Sequence, residues 1–205
     1  MQACLLCPLS TFSNVAAGST CQACQTGTYS IAMGSSSPSD ACLLCSPGSY
    51  QPTLGLTACI LCPLGSSGTV VGGAQLLLAC TGCQPGTYAA SAGGTACSAC
   101  VAGTWSITPS ATASSLCVLC AQGKYSSQLQ AASSAACQSC LAGTYSIGPP
   151  LATASSVCLP CQPGTFSVLQ AASASSTCVS CVSGSYSAFG ASICTYCAAG
   201  LYISA

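Results

Sequence analysis

The chain has 205 residues, 22 of them cysteine, one basic side chain (Lys124), one acidic (Asp40) and no histidine. So many cysteines mark a disulfide scaffold. One lysine cannot neutralise phosphates, so no nucleic-acid partner is expected; no pair of acid–base side chains exists, which argues against an enzyme; and a lone carboxylate argues against a calcium site.

The cysteines fall into eleven C-x-x-C pairs, and each pair opens a repeat of near twenty residues. The first repeat starts at Cys4, has Ser10 where later repeats have glycine, and reaches its aromatic at Phe12. Met1 stands three residues before Cys4, leaving no room for a secretion signal, so the chain is expected to be a mature fragment or a segment of a longer protein. The second repeat, from Cys21, carries Gly27 and Tyr29, and the third, from Cys42, carries Gly48 and Tyr50. The fourth, from Cys59, keeps Gly65 but has Ser67 in the aromatic place. The richest apolar window, 70–79, follows and is broken by Gly72, Gly73 and Gln75. No run approaches the ~18–20 residues of a spanning helix, so no membrane span is expected.

Repeats five to eight start at Cys80, Cys97, Cys117 and Cys137, with Gly86 and Tyr88, Gly103 and Trp105, Gly123 and Tyr125, and Gly143 and Tyr145. The last three start at Cys158, Cys178 and Cys194, with Gly164 and Phe166, Gly184 and Tyr186, and Gly200 and Tyr202. Residues 1–205 thus read as one array. Its early steps alternate between 17 and 21 residues, which hints at a two-repeat supermodule. A glycine before Thr/Ser-aromatic predicts a turn with positive φ and then a short strand. The Ser-, Ala- and Gly-rich remainder predicts loop, and pieces such as 129–136 form one helical turn at most. The expected fold class is a small disulfide-rich repeat array, an elongated rod of short β-strands and loops with little or no helix.

Zinc could also use C-x-x-C pairs. Each four-thiolate zinc site would carry two negative charges, and one lysine cannot compensate several of them, so no metal or other cofactor is expected. Thioredoxin-type redox chemistry lacks its strand–helix context. A bridge inside C-x-x-C closes a strained ring. The better scheme joins the second cysteine of one pair to the first of the next: Cys7–Cys21, Cys24–Cys42, Cys45–Cys59, Cys62–Cys80, Cys83–Cys97, Cys100–Cys117, Cys120–Cys137, Cys140–Cys158, Cys161–Cys178 and Cys181–Cys194. Each such bridge stabilises by ~3 kcal/mol in the chain-entropy model. Each aromatic is expected to bury itself by stacking over a neighbouring disulfide.

The frame C-x-x-C-x-x-G-T-Y-S, a loop and another C-x-x-C resembles the ephrin-receptor-like cysteine-rich repeats and the first loop module of tumour-necrosis-factor-receptor domains. Members of both families bridge the cysteine before P-x-G-T-Y to the first cysteine of the next pair, the same scheme. Long arrays of this kind are similar to parts of algal flagellar hairs (mastigonemes) and other protist surface proteins, so the resemblance implies an extracellular, secreted location.

The near absence of charge ranks a structural role first: a disulfide-laddered rod in an extracellular filament, hair or coat, whose repeats contact mainly their neighbours. A receptor or adhesin stalk is the alternative. At one short strand per repeat the rise is ~10–13 Å. Expected partners are copies of the chain or adjoining repeats, because Cys4 and Cys197 are left for chain continuation or an inter-subunit bridge. O-linked glycans would hydrate a charge-free surface. Their candidate sites are Ser35, Ser36, Ser37, Ser39, Thr108, Ser110, Ser155, Ser156, Ser173, Ser175, Ser176 and Thr177. Asn14 precedes Val15-Ala16 and so lies in no N-glycosylation sequon.

Overall fold

The computed structural model describes residues 4–148 and 152–202. The second repeat shows how the local fold arises. Gly27, at φ 79°, turns the chain, and the Thr28 amide and hydroxyl both donate to the Gln25 carbonyl, at 3.2 and 2.6 Å. The strand Thr28–Tyr29 then pairs antiparallel with Leu43–Leu44, the two residues inside the next C-x-x-C, with Thr28 opposite Leu44 and Tyr29 opposite Leu43. Side chains alternate along a strand, so positions i and i+3 face opposite ways. The two cysteines that flank the dipeptide therefore cannot meet each other. One bridges back and one forward, and Cys24–Cys42 closes this hairpin. The described residues form ten such two-stranded sheets.

Among the described residues helix is confined to single turns. α1 (Pro38–Ala41) starts at Ser37, whose hydroxyl accepts from the Asp40 amide, and α2 (Leu76–Ala79) starts at Gln75. Proline suits the first turn of α1, where its missing N–H would have no partner. 3₁₀ turns occupy Ser114–Leu116, Ser134–Ala136, Ser155–Val157 and Ser175–Thr177.

The chain divides into two compact units, Met1–Ser98 with Thr108–Leu116 and Ala99–Ile107 with Cys117–Ala205. In each unit the residue after the aromatic position donates its N–H to a loop carbonyl of the next repeat. The first unit makes five of these links, from Ser13 to Ser35, Ser30 to Leu56, Gln51 to Gly73, Gly68 to Gly94 and Ala89 to Ala111. The second makes four, from Ser106 to Ala131, Ser126 to Ala152, Ser146 to Ala172 and Ser167 to Ala191. All nine measure 2.9–3.3 Å.

Packing also reaches beyond the nearest neighbour. Gly48 in the third repeat has φ 81°, and a Cβ there would collide with the carbonyl of Gly93 in the fifth. The expectation that repeats contact mainly their neighbours is therefore too narrow. A turn without a Cβ lets the loop two repeats on settle directly upon it.

The core differs from the expected stack of rings. Phe12 is buried against Cys24, Ala41 and Cys42, and Tyr50 packs on Cys62 and Cys80. Most of the other rings are only half-buried, and Tyr186 is 53 % exposed. The positions that bury most fully are most of the second cysteines, the alanines at the loop ends, and the residue after most of the aromatics, such as Ser30 at 0 % exposed. Every strand of the described residues has two residues, so a ring is covered only where other parts of the chain lie against it, as Cys24, Ala41 and Cys42 do for Phe12. The residue after the ring is held inside by the repeat-to-repeat hydrogen bond.

Candidate functional site, the disulfide ladder and its loop hydroxyls

The structure joins Cys7–Cys21, Cys24–Cys42, Cys45–Cys59, Cys62–Cys80 and Cys83–Cys97 in the first unit. It joins Cys100–Cys117, Cys120–Cys137, Cys140–Cys158, Cys161–Cys178 and Cys181–Cys194 in the second. Cα–Cα distances are 5.5–5.8 Å, within the ordinary range for a bridge. From Cys24 to Cys161, every second-position cysteine is at most 3 % exposed. A reductant must reach a sulfur to attack it, so these bridges are shielded on one side. Sulfurs in disulfides are neutral and cannot serve as thiolate ligands. Cys4 is a free exposed thiol and Cys197 a free half-buried one.

A second turn recurs that the sequence reading did not single out. Ten residues after the second cysteine in most repeats, the chain enters the left-handed region at Gly34, Gly55, Gly72, Gly93, Ser110, Gln130 and Ala171, and nine after it at Gly190. Each of these residues donates its N–H to the carbonyl of the preceding repeat's second cysteine, at 2.7–3.1 Å. The glycine spacing was a visible signal in the first half of the chain. Ser110, Gln130 and Ala171 hide it in the second.

The loop hydroxyls differ in hydrogen bonding and in exposure. Ser37 donates to the Asp40 carboxylate at 2.6 Å, and Thr177 donates to the Ala174 carbonyl at 2.7 Å. Ser35 is half-buried beside Phe12, to which it is bridged. Ser36, Ser39, Thr108, Ser110, Ser155, Ser156, Ser173, Ser175 and Ser176 are exposed.

Two open grooves occupy equivalent places in the repeat. One, of about 460 Å³, is lined by Phe12, Gln25, Thr28, Pro38, Ser39 and Cys42. The other, of about 200 Å³, is lined by Tyr145, Gln162, Thr165, Ser175 and Cys178. Each has an aromatic from one repeat and the Gln-x-x-Thr turn of the next. Each also has a serine three residues before the cysteine that closes that repeat. No helix of the described residues is long and apolar enough to cross a membrane.

The family model described as tyrosine-protein kinase ephrin type A/B receptor-like matches residues 35–76 and 68–117. No curated protein matches the chain. The matched span holds the same hairpin, turn glycine and forward bridge that recur on both sides of it. The module and its ten bridges support an extracellular location and a stalk or binding role. By sequence match and by disulfide ladder, residues 35–117 are similar to the ephrin-receptor-like cysteine-rich repeat, and the same hairpin and forward bridge recur along the rest of the described array.

Proposed function

We propose that the chain is a non-catalytic structural component of an extracellular filament, hair or surface coat, lengthened by repeat-on-repeat packing and hydrated by O-linked glycans. The observation that carries this reading is the unbroken series of repeat-to-repeat backbone links within each unit. Backbone hydrogen bonds need no particular side chain, so the same joint can be repeated without limit. Near-zero charge removes the self-repulsion that keeps proteins apart in solution. In the repeat pattern Cys197 takes the place of a bridge-opening cysteine and Cys4 that of a bridge-closing one. A Cys197–Cys4 bridge between copies is a head-to-tail contact, which extends unless rotation closes a ring.

The alternative is a receptor or adhesin stalk, favoured by the family match itself. Electron microscopy of the secreted, oxidised full chain separates the two. Ordered polymers are expected, dispersed by mild reductant or by Cys197→Ser. Discrete monomers at all concentrations would favour the stalk.

A further inference from the structure

We propose that Ser175 and Ser39 are O-glycosylation sites whose first, uncharged sugar ring lies in the groove that each serine edges. This inference rests on the glycan part of the proposed function and narrows it to two positions. Both serines are exposed and stand three residues before a bridging cysteine, Cys178 and Cys42. Among the described residues the Ser175 hydroxyl has no hydrogen-bond partner. Ser37 gives its single proton to the Asp40 carboxylate, so Ser39 is the donor in the 2.9 Å Ser37–Ser39 contact. Replacing that proton with a sugar costs one exposed hydrogen bond and nothing buried.

The grooves suit a sugar's two-sided chemistry. Tyr145 and Cys178 give one groove apolar surface, and Phe12, Pro38 and Cys42 do so in the other. The exposed amides of Gln162 and Gln25 offer donors and an acceptor to hydroxyls. No lining residue of either groove is charged, so a neutral occupant fits where an acidic sugar would find no cation. Both grooves are too open to hold a free sugar well, whereas good small-molecule sites enclose most of their ligand. A covalent tether changes that balance, because a short linker supplies an effective concentration of order mM. The other exposed candidates, Ser36, Thr108, Ser110, Ser155, Ser156, Ser173 and Ser176, line neither groove.

In the transfer, the serine oxygen bonds to the anomeric carbon of a nucleotide-activated sugar held by a secretory glycosyltransferase. The bond from that carbon to the diphosphate breaks, the nucleoside diphosphate leaves with the electron pair, and the hydroxyl proton passes to the transferase's base.

The test is to secrete the full chain from a eukaryotic host, map glycopeptides by electron-transfer fragmentation, and record NMR of the glycoprotein. Ser175 and Ser39 should be occupied several-fold more than Ser176 and Ser36. Ring protons of the Ser175 sugar should be shifted upfield by Tyr145, and the shift should vanish in Tyr145→Leu. Should that variant fail to secrete, Gln162→Ala, an exposed change, should reduce the same shift. A mass equal to the bare polypeptide overturns both this inference and the glycan part of the proposed function. Sugars elsewhere, with Ser39 and Ser175 bare, overturn this inference alone. Occupied serines with unshifted sugars overturn the seating in the groove.

Discussion

The two units hold the same frame with different loops. In Met1–Ser98 with Thr108–Leu116, the bridges span 14, 18, 14, 18 and 14 residues in turn. In the second unit they span 17, 17, 18, 17 and 13. The alternation has a local cause. An 18-residue span exceeds a 14-residue one by four, and the four-residue turns α1 and α2 sit in the two longer loops. The extra residues leave the hairpin in place and change the bridge Cα distance only from 5.7–5.8 to 5.5 Å. Loop length therefore decides whether a helical turn is inserted, and the ladder does not depend on it. The second difference lies at the left-handed loop position. The first unit has glycine there at Gly34, Gly55, Gly72 and Gly93 and serine at Ser110, whereas the second has glycine only at Gly190 among the described residues and accepts Gln130 and Ala171.

The largest effect tests what the two units share. Removing Cys45–Cys59 or Cys161–Cys178 by paired serine substitution should cost ~3 kcal/mol each, despite the different spans, because closure entropy varies only slowly with loop length. Denaturant unfolding under non-reducing conditions measures it, and a loss confined to one unit would break the equivalence. Next comes the turn glycine. Gly48→Ala adds a Cβ against the Gly93 carbonyl at a left-handed residue, whereas Gly184, also left-handed, has nothing within 4 Å. Gly184→Ala should cost only the left-handed penalty less glycine's entropy, roughly 0.5–1 kcal/mol. Gly48→Ala should cost that plus ~1–3 kcal/mol of overpacking. Equal losses would show that the contact two repeats on contributes nothing.

A smaller effect concerns how strand and loop share space. A Cβ at Gly72 would lie 2.8 Å from a Leu44 methyl carbon, and one at Gly93 would lie 3.0 Å from a Leu61 methyl carbon. Where the loop residue is Ser110 the strand residue is Gly82, and a Cβ there would run into the Ser110 hydroxyl. In these three pairs large on the strand goes with small in the loop, and the reverse. Leu44→Ala alone should cost less than ~0.5 kcal/mol, since the side chain is mostly exposed. Combined with Gly72→Ala it should relieve part of the glycine's loss, a coupling of at least ~0.5 kcal/mol. Strict additivity in the cycle would refute the complementarity.

The fold class was legible because few residue types carry it. Cysteine pairs, a glycine and an aromatic at constant offsets leave little but short strands, turns and bridges. Burial was less legible. Ser30, Ser126 and Ser146 look like surface residues, yet each is buried because its own backbone N–H is tied to the next repeat. Tyr186 looks like core and is exposed, although its strand Ser185–Tyr186 is as long as Thr11–Phe12, whose ring is buried against Cys24, Ala41 and Cys42. The grooves could not be read from composition either. They bring together residues of successive repeats, Tyr145 with Gln162 and Ser175, whose adjacency only the fold creates.

The smallest effect runs the other way, toward stability. Ala171 lies at φ 54°, in the region that costs a residue with a Cβ ~1–2 kcal/mol. Its amide donates to the Cys140 carbonyl at 2.8 Å, and glycine keeps that bond. Glycine also removes the strain, but it adds ~0.5–1 kcal/mol of backbone entropy to be lost on folding. The two terms leave Ala171→Gly stabilising by roughly 0.5–1 kcal/mol. Gln130→Gly, at φ 56° with its amide on the Cys100 carbonyl, should gain a similar amount. In the first unit the reverse change, Gly55→Ala, should lose ~1 kcal/mol or more for the same reason, since Gly55 is at φ 67°. Native-state hydrogen exchange resolves these changes locally, through slower exchange at the Ala171 position and faster exchange at residue 55. If Ala171→Gly instead speeds exchange there, the loop is held by its alanine side chain and the units differ in packing as well as in backbone strain.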